Sequence, residues 1–261
     1  MHSKDNPLPE TSQKSELLLQ ATNLCRKVSG NWIWVNISFK LTAGQMLALS
    51  GKSGSGKSLL LRTLAGLDEL EKGPSDELGS IIFLGKSIAD WEMTEYRTRI
   101  GYVSQHTVFH DETVEENFKK VFTLKVNRNK SYDREKIILW LEQLSLSKTG
   151  KNHSPKASLN KFLNRHAREL SEGEKQVVAL FRTLQLDPQV LLLDEPTSSM
   201  DKDLTRLIEN MLEKWHRCST DIFPASTSKQ TQRAWIWISH NPEQLRRMCG
   251  QTYKLDFDNG K

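Results

Sequence analysis

The stretch that most constrains this chain is Gly51–Ser58, G-K-S-G-S-G-K-S. Met46–Ser50 ahead of it is a short apolar run suited to a buried strand. Ser58–Leu67 behind it, S-L-L-L-R-T-L-A-G-L, is rich in helix formers. Strand, glycine loop and helix is the context in which G-x-x-x-x-G-K-[ST] cradles phosphate. Glycines let the backbone wrap a polyphosphate, and N–H groups at the helix start point at it. Gly51, Lys52, Ser53, Gly54, Ser55, Gly56, Lys57 and Ser58 are therefore the candidate nucleotide-binding residues. Lys57 supplies a point charge to the outer phosphates, and the Ser58 hydroxyl can ligate Mg²⁺. By average residue usage the bare pattern arises by chance in roughly one chain in a hundred of this size. The flanking strand and helix argue against a mere flexible Gly/Ser loop.

Composition narrows the class. The 261 residues are 26% charged and 37% hydrophobic, an ordinary globular balance. No apolar run approaches the roughly 20 residues needed to span a bilayer. Residues 1–16 lack the apolar core of a signal peptide and read as a disordered tail. Cys25, Cys218 and Cys249 are scattered, which suits a reducing compartment and offers no metal-ligand spacing. The net charge of +5 is a mild bias that selects no partner.

Leu17–Leu24 and Trp32–Leu41 have strand character and flank a turn at Ser29-Gly30-Asn31. Gly79–Leu84 and Arg99–Ser104 read as further strands. From about Asp111 to Arg168 the pattern is mainly helical, with apolar residues at helical spacing in Tyr132–Leu144. Lys175–Leu186 and Asp203–Trp215 read as helices. Val190–Leu193 and Ala234–Ser239 read as strands buried on both faces. Asn241 and Pro242 mark a helix start, and Gln251–Phe257 a last strand. Cys218–Arg233 reads as a surface loop. Strands alternating with helices argue for a mainly parallel α/β sheet.

Five features stand in order: the glycine loop, Gln105, Leu170-Ser171-Glu172-Gly173-Glu174, Asp194-Glu195 and His240. This order resembles the ATP-binding cassette (ABC) ATPases over about Leu17 to Phe257. The resemblance implies a P-loop NTPase fold of the ABC type, α/β, with a mainly parallel core sheet. An antiparallel N-terminal β-subdomain and an inserted helical subdomain at about 108–168 complete a single domain over 17–261. It implies ATP and Mg²⁺ as ligands and a homodimer packed head to tail. Asp194 takes the Walker B place and holds Mg²⁺ with Ser58 and Gln105. Glu195 takes the place of the carboxylate that polarises the attacking water. Gln105 takes the Q-loop place, and His240 that of the switch histidine on the γ-phosphate. Ser171 and Gly173 reach the phosphate of the partner subunit, and Asp201 takes the D-loop place. Asp201 also suits a helix cap.

Two departures stand out. The signature usually reads L-S-G-G-Q and here reads L-S-E-G-E. Ser171 and Glu174 have capping-box spacing, which explains the helix start but leaves Gly173 to a close phosphate approach. The aromatic that usually stacks on adenine falls near Val28, with Arg26, Trp32 and Trp34 as neighbouring candidates.

Three classes compete: a transporter subunit, a soluble ABC ATPase of repair or translation, and an unrelated P-loop kinase. A kinase would not explain the signature and the histidine. Repair types carry a long coiled coil and translation types two cassettes, and neither is found here. The resemblance is greatest to the FetA type, small cassettes paired with a FetB-type permease and associated with iron export. It implies an ATP hydrolase held peripherally at the cytoplasmic face of the inner (plasma) membrane by an integral membrane permease. No direct nucleic-acid partner is expected. Thr107–Asn117, with Phe109 and Val114, is the expected docking segment.

Overall fold

The computed structural model describes residues 16–144, 155–218 and 233–255. The tail expected at 1–16 falls almost wholly outside them, as does most of the loop expected at Cys218–Arg233.

Two sheets carry the fold. The first is antiparallel, in the order β2 (Asn31–Thr42), β1 (Leu17–Val28), β4 (Ser80–Phe83), β5 (Lys86–Ser87). β1 and β2 run further than their patterns suggest, joined by a two-residue turn. Ser29 and Gly30 both take positive φ, as the twist of a tight hairpin requires. The extension survives its polar sequence because Arg26 is satisfied where it is buried. Its guanidinium donates to Glu71 at 2.8 Å, to the Thr63 hydroxyl at 2.7 Å and to the Glu69 carbonyl at 3.1 Å.

The second sheet is parallel. Its order is β6 (Ile100–Val103), β7 (Val190–Asp194), β8 (Ala234–Ile238), β3 (Met46–Ser50), β9 (Gln251–Lys254). Alternation splits its side chains between two cores. Val190, Leu192, Ala234 and Ile236 face α1 (Lys57–Leu64) and the antiparallel sheet. Leu191, Leu193, Trp235 and Trp237 face α6 (Glu172–Leu184), α7 (Lys202–His216) and the helices near 114–163.

Those helices are α3 (Val114–Lys119), α4 (Arg134–Gln143) and α5 (Pro155–Leu163), with short 3₁₀ turns between them. α2 (Met93–Arg99) leads into β6, and α8 (Pro242–Met248) follows β8 with Asn241 as its cap. α6 starts three residues earlier than its apolar pattern suggests, because Ser171 and Glu174 close the capping box. Among the described residues, no helix is long and apolar enough to cross a membrane. The carboxyl ends of β3, β7 and β8 converge on one edge, where open α/β sheets bind ligands.

Candidate nucleotide site

The loop leaving β3 needs glycine at 56 for two separate reasons. Gly56 has φ +79°, and a Cβ there would lie 2.5 Å from Ile33 Cγ2 and 2.7 Å from Trp34 Nε1. Trp34 is fully buried beneath the loop and donates to the Gly56 carbonyl at 3.3 Å. Gly54 has φ +77°, but its Cβ would meet nothing within 4 Å, so that side of the loop is open. α1 starts at Gly56 with no side-chain cap and no acid in its first turn, leaving its N–H groups to an anion. Ser55 Oγ is buried without a hydrogen-bond partner among the described residues. Lys57 Nζ folds over the loop, donating to the carbonyls of Gly51 at 3.0 Å and Lys52 at 2.9 Å. An uncapped helix start, an orphaned buried hydroxyl and a facing ammonium fit a polyphosphate.

Asp194 ends β7 and is buried. Its carboxylate accepts from Ser58 Oγ at 3.1 Å and from the Tyr102 hydroxyl at 3.1 Å. Burial pushes its pKa above the ordinary value, against the opposing pull of those two bonds and of Lys57. A buried carboxylate with two hydroxyls forms the all-oxygen set that a hard divalent cation takes. Tyr102 was not among the residues picked from sequence.

Glu195 follows in left-handed conformation at φ +50°. Such strain in a non-glycine residue persists only where surroundings impose it. Here its N–H donates to the Ile238 carbonyl at 3.0 Å, pinning the turn to β8. Its carboxylate lies 2.9 Å from His240 Nε2. Lys57, Ser58, Asp194, Glu195 and His240 thus share one edge, linked in part by direct contacts. Gln105 stands two residues beyond β6 at the same edge, exposed, and its side chain makes no hydrogen bond among the described residues.

The signature residues stand apart from this cluster. Ser171 Oγ accepts the Glu174 N–H at 3.3 Å, and Glu174 accepts the Ser171 N–H at 2.8 Å. Against the cost of its burial, Arg165 at 2.7 Å and the Ser171 N–H hold the Glu174 carboxyl below its ordinary range. Glu172 is exposed and pairs with Lys175 at 2.7 Å. Gly173 is buried, and a Cβ there would lie 2.8 Å from the Ser199 carbonyl oxygen. Packing inside the chain therefore already requires glycine, without the phosphate approach inferred from sequence. Gln176 strengthens that contact, donating to Ser198 Oγ at 2.9 Å and accepting the Ser199 N–H at 3.1 Å. The only sequence signal for Gln176 is one polar residue on an apolar helix face. Asp201 caps α7 by accepting the Leu204 N–H at 2.8 Å.

Of the adenine candidates, Arg26 is committed to Glu71 and Trp34 lies under the loop. Trp32 remains partly exposed, with Lys27 Nζ 5.1 Å from its ring centroid. In the expected docking segment, Val114 is fully buried and Phe109 is partly buried, with Arg182 5.0 Å from its ring centroid. Val108 is 82% exposed and presents the apolar surface instead.

The family model for the ABC transporter matches residues 35–198. The chain belongs to the ABC transporter family. It is an ABC-type ATPase, an ATP-hydrolysing transporter subunit. The probable iron export ATP-binding protein FetA of Escherichia coli (strain K12) is 29% identical over 233 residues, 89% of either chain. Heavy metal tolerance factor 1 of Caenorhabditis elegans is 34% identical over 73% of this chain. The methionine import ATP-binding protein MetN of Clostridioides difficile (strain 630) is 30% identical over 83% of it. The matched region spans only 22% and 59% of those last two proteins. A bacterial Atm1-family ABC exporter with ATP bound superposes with a TM-score of 0.71 at 22% identity, covering 94% of this chain and 39% of that one. A dimeric ATP-binding cassette in a post-hydrolysis state with ADP and Pi gives 0.69 at 21% identity, covering 92% and 94%. Those two likenesses establish the fold.

Proposed function

We propose that this protein powers a separate integral membrane permease, as a homodimer at the cytoplasmic face of the membrane, and that the cargo is a metal, iron first. The observation that carries the motor is the Ser58–Asp194 and Glu195–His240 pairing at neighbouring strand ends. The iron reading is supported by FetA, which matches along 89% of its own length, whereas MetN is named for import of methionine.

The β- and γ-phosphates lie on the open N–H groups of α1, with Lys57 over them. Ser58 and Asp194, with Gln105, would hold Mg²⁺, which when bound would neutralise phosphate charge. Glu195 orients a water in line with the γ-phosphorus and takes its proton as the bond to the β-phosphate oxygen breaks. His240, held by Glu195, donates to the γ-phosphate. Ser171 and Gly173 come from the second subunit, with Asp201 at the dimer seam. The region 17–261 acts as one domain, its helical part at about 108–168 lying next to the permease.

Glu195→Gln is expected to keep MgATP binding and to lose turnover, read by nucleotide titration beside phosphate release. Light scattering of that variant should show an MgATP-dependent dimer. Equal turnover in wild type and variant removes Glu195 from the chemistry. Val108→Asp should release the subunit from permease-bearing membranes in co-sedimentation with basal ATPase intact, since Val108 touches no phosphate residue. Radioiron uptake into inverted vesicles carrying subunit and permease tests the cargo. ATP-driven methionine transport without iron transport would overturn it.

A further inference from the structure

His240 is 65% exposed in its side chain, so its position depends on the loop that carries it. That loop is tied from behind. Ser239 Oγ accepts the Asn241 N–H at 3.0 Å and donates to Gln244 Oε1 at 2.7 Å. Gln244 is 3% exposed. Its Nε2 donates both hydrogens, to Thr197 Oγ1 at 2.9 Å and to Glu209 Oε1 at 3.0 Å. Thr197 stands two residues after Glu195, and Ser239 immediately before His240. Glu195 and His240 thus touch in front, and Gln244 bridges the hydroxyls of their chain neighbours Thr197 and Ser239 behind.

We propose that Gln244 is a positioning residue for ATP hydrolysis, its amide fixing the His240 loop against the Glu195 turn through Thr197 and Glu209. The proposal rests on the reading of Glu195 and His240 given above. The Glu209 carboxylate, which can only accept, sets which way the amide faces: reversed, the amide oxygen would meet that carboxylate. Glu209 is itself 4% exposed in its side chain and receives Arg247 Nη2 at 2.8 Å and Nε at 3.3 Å. Apolar side chains would fill that place without the cost of desolvating a charge. What the network adds is a fixed geometry, and misplacement by about 1 Å can cost about a hundredfold in rate.

The test is a set of variants of the full chain, with kcat, KM and the dissociation constant for MgATP measured for each. Gln244→Ala should lower kcat at least about tenfold, and Gln244→Glu, which sets two carboxylates together, about a hundredfold. MgATP affinity should stay within about twofold, since no phosphate-facing residue is touched. Gln244→Glu combined with Glu209→Gln restores one carboxylate facing one carboxamide and should recover most of the rate. In a His240→Ala background, Gln244→Ala should cost clearly less than it does in the wild type, because part of its effect passes through His240. A full additive loss there, or no rescue by the exchanged pair, overturns the proposal, as does wild-type kcat in Gln244→Ala. Wild-type turnover in both Glu195→Gln and His240→Ala would instead remove the reading of the site, and Gln244 with it.

Discussion

Two helix starts in this molecule face opposite electrostatic demands. α1 opens at Gly56 with no side-chain cap, no acid in its first turn and Lys57 as its first residue. α6 opens at Ser171 with a complete capping box and both Glu172 and Glu174 in its first turn. The positive end of a helix dipole attracts anions. α1 keeps that field for a ligand, whereas α6 spends it on its own side chains. The glycine loop is thus an anion site within one chain. The signature becomes one only if a second subunit's phosphate competes with groups already in place.

The largest effect expected from this contrast is at Lys57. Lys57→Ala should weaken ATP binding by about 3 kcal/mol, roughly a hundredfold, because a charged donor is lost. Calorimetry reads it directly, and a change below about threefold would break the contrast. Next, Gly56→Ala should lower unfolding stability by about 2–3 kcal/mol, from strain at positive φ and from overlap with Ile33 and Trp34. Gly54→Ala, with open space around it, should cost only the backbone term of about 1 kcal/mol. Chemical denaturation of both separates close packing from conformation. Ser171→Ala should then cost about 1 kcal/mol of stability by removing a cap. In a Glu195→Gln background it should also weaken the MgATP-dependent dimer. Dimerisation unaffected by Ser171→Ala would leave Ser171 a cap and nothing more. The smallest effect is at Glu172. Glu172→Gly should tighten that dimer a few-fold at low salt and less at high salt, since exposed charges are screened. Sedimentation across a salt series checks it.

The glycine loop and the aliphatic strand ending in Asp194 were legible because each is a local demand of backbone and burial. The order of the five motifs carried the fold. What escaped is tertiary. Nothing in K-V-S-G marks Arg26 as the partner of Glu71, 45 residues on, so it stood among the adenine candidates. Val114 stood in the expected docking segment on the resemblance alone, and α3 is only six residues long, too short for its buried face to show as a period. Tyr102 and Gln176 act through contacts with residues 92 and about 20 positions away, a separation that no pattern in one sequence records.

The Gly173–Ser199 contact also bears on how this chain can drift. A hydrogen on the Gly173 Cα is all that fits under the Ser199 carbonyl, while Glu172 is open to solvent. Random substitution should therefore be tolerated at 172 and eliminated at 173 even in cells whose growth does not need the transport activity, because loss at 173 is felt by the single folded chain.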